Sequence, residues 1–332
     1  MKIKAVVTTE LGGPEVLKLQ EVSLAWPRGD RDVLVELHAA GLNPADIFFR
    51  QLGGYLSGAE PFVLGHDGMG VVAAVGPAVT AVRPGDRVAF CNGGIGGTMG
   101  TYAEAAVVPE DQLALVPDTV DDLTAAALPL VAITCWEALY DRARLEAGEH
   151  VLIHGGAGGT GHVAVQLARL RGARVAATVS SPEKARLVLD LGAERAINYR
   201  ESDFVQDALA WSGGLQVAFD NAGAEVMQAT FRAMAPYGRI VTLMGTPADD
   251  ADLTAYNLNL TLHNVMMLTP MWKGLADRLR AQAGIVRQAL ALVAEGKLTI
   301  HHAANFPLAN AAEAQALLES GQAVGKVTLR IR

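Results

Sequence analysis

The stretch Ile153–Ala168 reads IHGGAGGTGHVAVQLA and places five glycines among its first nine residues. Each glycine adds to the entropy lost when the chain is ordered, so such a cluster needs a turn or a close backbone approach to justify it. Upstream, HVLIHG has the apolar texture of a buried strand; downstream, HVAVQLARLRG carries apolar residues at helical spacing. Strand, loop and helix in that order, with Gly156, Gly158 and Gly161 spaced G-x-G-x-x-G, form the fingerprint of a dinucleotide pyrophosphate site, with Gly159 and Thr160 inside the loop. The first glycine permits a tight turn, the second admits phosphate to the backbone N–H groups, and the third lets helix and strand pack. The helix N-terminus adds partial positive charge.

The following strand discriminates between cofactors. An acidic residue about 20 positions on would bind the adenosine ribose of NAD. Here the strand ends ATVSSPEK, with no acid at Thr178, Val179, Ser180 or Ser181. The hydroxyls of Ser180 and Ser181 with the ammonium of Lys184 suit a 2′-phosphate, so NADP(H) is expected. A lysine at a helix start is common on surfaces, and the missing acid is the stronger half of this reading.

Working outward, HVLIHG, ARVAATV, RAIN, QVAFDNAG and RIVTLMG read as strands, separated by helices starting near Thr160, Pro182, Asp203, Met227 and Leu275. Strict alternation of strand and helix predicts an α/β fold with a doubly wound parallel sheet. The first third is different: IKAVVTT, DVLVELHAAGL, GMGVVAAVG, GDRVAFC and TYAEAAVVP are short β-branched runs bounded by Gly, Pro and Asp, the texture of an antiparallel, partly barrel-like domain. Between them, LTAAALPLVAITCWEALYDRARL has helical spacing. The tail, with LTIHHAANFPL and KVTLRIR, is strand-rich again and is expected to rejoin the first domain; His301 and His302 alternate there, one on each face.

The chain has 332 residues, length for two domains, and 27 Lys and Arg against 35 Asp and Glu give a net charge of −8. That sign disfavours nucleic acid as a partner. The start, MKIKAVVTTELGG, has neither a secretory apolar run nor a transit-peptide character, and the long uncharged stretches are broken by Gly, Asn or Pro, so no membrane association and a cytoplasmic location are expected. Cys91 and Cys135 are too few for a disulfide framework and read as inert, partly buried side chains.

With the fingerprint near mid-chain and a β domain before it, the sequence resembles the medium-chain dehydrogenase/reductase superfamily over essentially its full length. The resemblance rests on AAGLNPADIFFRQLGGY, PFVLGHDGMGVVAAVG, VRPGDRVAF, LPLVAITCWEALY, the glycine loop, LGAERAINY and FDNAG, and is strongest to the zinc-free quinone oxidoreductase branch related to zeta-crystallin. It implies a GroES-like catalytic domain over residues 1–125, completed by 271–332, and a Rossmann NADP-binding domain over 126–270, with the nicotinamide in the cleft between them. The implied activity is hydride transfer from NADPH to a quinone or an α,β-unsaturated carbonyl, a small-molecule substrate. The implied catalytic residues are Asn43, Asp46, Tyr55 and Thr134. Asn43 and Thr134 would bond the carboxamide or a substrate carbonyl, and Tyr55 would donate a proton or wall the pocket. Asp46 equally reads as a helix cap. Pro44 to Phe48, Thr134, Ser180, Ser181, Lys184, Tyr199, Asn221, Gly245, Met267, Leu268, Thr269 and Lys326 are the implied cofactor contacts beside the loop glycines.

His66, in LGHDGMG, stands where zinc-dependent relatives place a ligand, but the partner positions fall on Asn43 and Leu130. Leucine cannot bind metal, so no metal site is expected; a zinc alcohol dehydrogenase using His66 and a nucleotide-binding structural or RNA-binding relative of zeta-crystallin are the competing readings. The segment LTLHNVMMLTP, at the expected far edge of the Rossmann sheet, lacks edge-protecting charges. In the resembled family this edge continues into a twofold copy, which implies a homodimer with Met266, Met267 and Leu268 at or near the junction.

Overall fold

The computed structural model describes residues 1–53, 62–92, 99–245 and 253–332. Its contacts divide the chain into two compact units, one of Met1–Ile133 with Leu268–Arg332 and one of Thr134–Met267. Tyr55 lies outside the described residues.

In the second unit six strands form one sheet in the spatial order Arg195–Asn198, Arg174–Val179, His150–Ile153, Leu215–Asp220, Met234–Thr242 and Thr261–Asn264. Every neighbouring pair is parallel. The chain order runs outward in both directions from His150–Ile153, so the sheet reverses between that strand and Leu215–Asp220. A crevice at the carboxyl ends of such a switch point is where doubly wound folds bind ligands. Leu152, Ala176, Ile197, Ala218 and Ile240, one from each of five strands, meet Met227 and Phe231 in the core on one face. Helix starts follow their caps. Ser181 Oγ accepts from Lys184 N at 3.3 Å before Pro182–Asp190, and Asp203 accepts from Val205 N at 2.8 Å before Phe204–Ser212.

The expected edge strand is shorter than LTLHNVMMLTP suggests. Pairing ends at Asn264, opposite Thr242, the last residue of its neighbour. Beyond it Val265 is buried with its N–H on Thr242 O at 2.9 Å, Met267 and Leu268 are buried, and Met266 is 49% exposed. The methionines therefore follow the edge strand and are not part of it.

The first unit is mostly β. A seven-stranded sheet is built on Asp32–Gly41, which pairs antiparallel with Asp67–Val75, Ala105–Pro109 and Lys326–Arg330. The tail thus returns to this sheet, with Thr328 opposite Gly41. Val33, Val35 and Leu37, two residues apart, turn to one face and pack with Val72, Val88, Phe90 and Val108. A three-stranded sheet of Lys18–Ser23, Lys2–Thr8 and Phe62–Val63 is tied to it through Tyr102–Glu104, where Val6 N donates to Tyr102 O at 2.8 Å and Glu104 N to Lys4 O at 2.9 Å. The helical stretch before the Rossmann unit breaks at Pro129, which lacks an N–H, into Asp122–Ala127 and Pro129–Trp136. No helix among the described residues is long and apolar enough to cross a membrane.

Candidate active site

The glycine loop leaves the carboxyl end of His150–Ile153. A Cβ on Gly156 would lie 2.6 Å from Ala177 Cβ, and one on Gly161 2.2 Å from Gly155 O, so both are required by packing of loop, strand and helix. Gly158 is less crowded: a Cβ there would meet only Gly155 O, at 3.3 Å, a contact that a shift of a few tenths of an ångström relieves. Gly155 N donates to Thr178 Oγ1 at 3.0 Å and Gly156 N to Thr178 O at 3.0 Å, which ties the loop to the second strand. Beneath it, His154 is buried, with Nδ1 3.3 Å from Thr178 Oγ1 and Nε2 2.9 Å from Thr230 Oγ1. Burial pushes its pKa down to about 4, so the ring is neutral near pH 7.

At the end of the second strand, Lys184 Nζ donates to Ser180 Oγ at 3.3 Å while Ser181 caps the helix. Tyr199, half exposed, donates its N–H to Val179 O at 3.2 Å, so the end of Arg195–Asn198 sits beside this cluster. Asn221 is close enough to the loop that a Gly155 Cβ would meet its Oδ1 at 2.9 Å. Asp220 anchors the turn, accepting from Ala222 N and Gly223 N through Oδ1 and from Thr242 Oγ1 through Oδ2 at 2.8 Å. Gly245 follows with φ +85°, a left-handed conformation suited to glycine. Thr134 is buried in helix Pro129–Trp136. The fold thus brings Gly156, Gly158, Gly161, Ser180, Ser181, Lys184, Tyr199 and Asn221 to one end of the sheet.

The first unit holds a buried polar network. Asn43 is the N-cap of Pro44–Leu52 and forms a capping box with Asp46: Asn43 N donates to Asp46 Oδ2 at 2.9 Å. The cap reading of Asp46 therefore holds in a reciprocal form, from the third helical position. Asp46 also takes Tyr102 OH at 3.0 Å and faces His66 Nδ1 at 2.5 Å, with all three residues at most 1% exposed. Asn43 Nδ2 donates to Asp67 Oδ2 at 2.9 Å, and Lys326 Nζ donates to Asn43 Oδ1 at 2.6 Å and to Leu42 O at 2.8 Å. Burial raises the Asp67 pKa to about 6 although Lys326, Asn43 and Leu130 N favour its charged form; burial likewise lowers that of Lys326 and raises the Cys91 thiol well above its usual range. Pro44 and Phe48 lie exposed on the helix, Leu268 is buried, and Thr269 opens the helix Thr269–Lys273.

Residues 29–118 match the Alcohol dehydrogenase GroES-like domain family and residues 191–329 the Zinc-binding dehydrogenase family. The quinone oxidoreductase of Pseudomonas aeruginosa is 32% identical over 330 residues, 98% of this chain and 99% of that protein. The Escherichia coli quinone oxidoreductase solved in complex with NADPH has a TM-score of 0.87 at 26% identity over 99% of this chain and 100% of that one. A solved NAD-dependent alcohol dehydrogenase reaches a TM-score of 0.89 at 32% identity, with 99% and 100% covered. The chain belongs to the medium-chain dehydrogenase/reductase superfamily. Within it, this is a nicotinamide-dependent enzyme of the quinone oxidoreductase branch, with the superfamily's Rossmann and GroES-like units.

Zinc in this superfamily needs convergent donors, and the three positions here do not supply them. Asp46 holds His66 through Nδ1, but the Asn43 amide is tied between an ammonium and a carboxylate, and Leu130 offers only a backbone N–H, given to Asp67 Oδ1 at 2.8 Å. Among the described residues no group of three or more His, Cys, Asp or Glu is arranged to hold a metal ion.

Much of the buried network lies on residues that carry no motif in the sequence. Arg50 is fully buried; its guanidinium reaches Gly12 O at 3.0 Å, Gln315 Oε1 at 2.6 Å and Glu319 Oε1 at 2.7 Å, and Gln315 Nε2 lies 3.5 Å from Tyr102 OH. The available signal was an arginine on the apolar run Phe48–Phe49 and an aspartate opening an inward-facing strand. Arg200, exposed after Tyr199, is a second cation at the sheet end that holds Lys184.

Proposed function

We propose that this chain is a cytoplasmic, homodimeric, zinc-independent reductase that uses NADPH to reduce quinones or α,β-unsaturated carbonyls. The observation that supports the cofactor choice is the end of Arg174–Val179, where Ser180, Ser181 and Lys184 gather and none of Thr178, Val179, Ser180 and Ser181 is an acid. Lys184, with Arg200 on the adjoining strand end, is placed to favour a 2′-phosphate; an acid there would favour a ribose hydroxyl instead. The N–H groups of the glycine loop and the N-terminus of Gly161–Leu170 would hold the pyrophosphate, with Tyr199, Asn221 and Gly245 flanking the cofactor. When bound, the nicotinamide supplies a hydride.

The protein's own part is orientation and exclusion of water. Asn43 and Asp46, locked by Lys326, Tyr102 and His66, fix the start of helix Pro44–Leu52 and so what that helix presents to the substrate. Thr134 is the hydroxyl assigned to the carboxamide or acceptor carbonyl, and Tyr55 the candidate proton donor. An electrophilic acceptor such as a quinone or enone needs no Lewis acid to take a hydride, which agrees with a donor set unsuited to zinc. The test is loss of NADPH absorbance with a panel of quinones and enones, alongside metal analysis of gel-filtered protein. Turnover above the protein-free rate without stoichiometric zinc is expected. No turnover with any acceptor rejects the reading, and one zinc per chain would replace it with an alcohol dehydrogenase using His66.

A further inference from the structure

The Rossmann unit carries a second polar feature, on the amino-terminal side of its strands. Arg142, Arg144, Arg239, Thr261 and His263, with Asp141, line an open depression of about 360 Å³. It is separate from the dinucleotide loop: Arg239 is level with Val217 and Val151 and lies opposite Thr261, and His263, although level with Ile153 where the glycine loop starts, is on the edge strand with two strands between. Thr261 and His263, two residues apart on the edge strand, share the face of Arg239. The wide helical turn Glu137–Arg142 and the residues after it cover that face.

Arg239 is fixed in place, with Nε on Ala143 O at 2.7 Å and an Nη on Glu149 Oε2 at 2.5 Å. Arg142 and Arg144 are exposed, and neither forms an ion pair with a carboxylate among the described residues. Arg144 moreover has φ +49°, a left-handed backbone that costs energy for a residue with a Cβ. The half-buried His263 ring faces Arg142, Arg144 and Arg239, and burial and then these three charges hold its pKa below the usual histidine value. In a chain of net charge −8, this concentration of cations has, among the described residues, no carboxylate in a salt bridge with it or lining the depression beyond Glu149 and the rim carboxylate of Asp141.

We propose that this depression binds a small tetrahedral oxyanion, a dianionic phosphate group or its sulfate analogue, independently of the cofactor. Two free guanidinium forks and an imidazole that gains a proton beside the anion supply charge-assisted hydrogen bonds, and Arg239 forms the fixed floor. Sulfate is the probe, because its charge stays constant over the working pH range.

The experiment is calorimetric titration of sodium sulfate into NADPH-saturated protein, against a sodium chloride control of equal ionic strength. One saturable site per chain is expected, tightening as pH falls from about 8 to about 6, where His263 takes up a proton. Arg142→Ala with Arg144→Ala, both on exposed side chains, is expected to weaken sulfate about tenfold or more, and His263→Gln to flatten the pH dependence. Absence of binding beyond the chloride control overturns the proposal, as does undiminished binding in the double arginine variant.

Discussion

At the scale of single residues, Lys184 tests the proposed cofactor choice. Its Nζ sits on Ser180 Oγ, next to a strand end without an acid, so Lys184→Glu exchanges an attraction for a 2′-phosphate for a repulsion. A charge-assisted phosphate contact is worth about 2 kcal/mol, so NADPH affinity should fall about thirtyfold while NADH changes little, as read by fluorescence titration. Equal losses would remove Lys184 as the selector. His154 gives a pH signature in the same unit. Its pKa lies below that of the unfolded chain, so its contribution is complete above about pH 6.5 and is lost as pH falls toward about 4, up to about 3 kcal/mol. In His154→Asn the stability deficit against the parent should shrink by that amount over this window, measured by denaturant unfolding at each pH. Asp67, in the other unit and raised to about 6, runs oppositely: its contribution is complete below pH 3.8 and lost as pH rises through about 6. The strand–loop–helix order around the glycines and the helix start beside Lys184 could be read from sequence because their partners lie within a few dozen residues. The network around Asp46 could not, since Arg50 and Gln315 are 265 positions apart and meet only once the tail has joined the first unit.

At the scale of elements, the glycine loop separates packing from binding. In Gly161→Ala the new methyl would collide with Gly155 O, a backbone atom that cannot swing aside, so a loss of about 1–3 kcal/mol in stability of the Rossmann unit is expected. Gly158→Ala meets only Gly155 O at 3.3 Å and should stay within about 1 kcal/mol of the parent. Its penalty should fall instead on NADPH affinity if, as proposed, the pyrophosphate approaches the loop closely at this glycine, since an added methyl would stand in its way. Thermal unfolding with and without NADPH distinguishes the two; a Gly158→Ala protein that binds normally would remove that glycine from the site. The alternating strands and helices of this unit were legible because each strand is a short apolar run closed by turn residues, and Ser181 and Asp203 mark helix starts where capping chemistry requires them. The length of the edge strand was not legible. Thr261–Asn264 stops where its neighbour among the described residues stops, a limit set by Thr242 in another segment and not by the apolar run through Met266 to Leu268.

At the scale of the whole molecule, that edge strand bears on assembly. Each backbone unit of an extended strand points to the side opposite its neighbours. Val265 N–H is already spent on Thr242 O, and Thr242 pairs in register with Asn264, so the Asn264 N–H and C=O face away from the sheet. Within the described chain, Leu262 and Asn264 therefore present the outer hydrogen-bonding edge, which carries no lysine, glutamate or proline to discourage pairing. A proline at Val265 would be a poor probe of a dimer, because it deletes an internal bond. Asn264→Pro instead removes only an outward donor. If a second copy pairs along this edge, light scattering at micromolar concentration should give twice the mass calculated from sequence for the parent and one chain mass for Asn264→Pro, with unchanged far-ultraviolet circular dichroism. A parent protein that is monomeric there ends the dimer proposal, and a dimer that survives Asn264→Pro moves the interface to another surface.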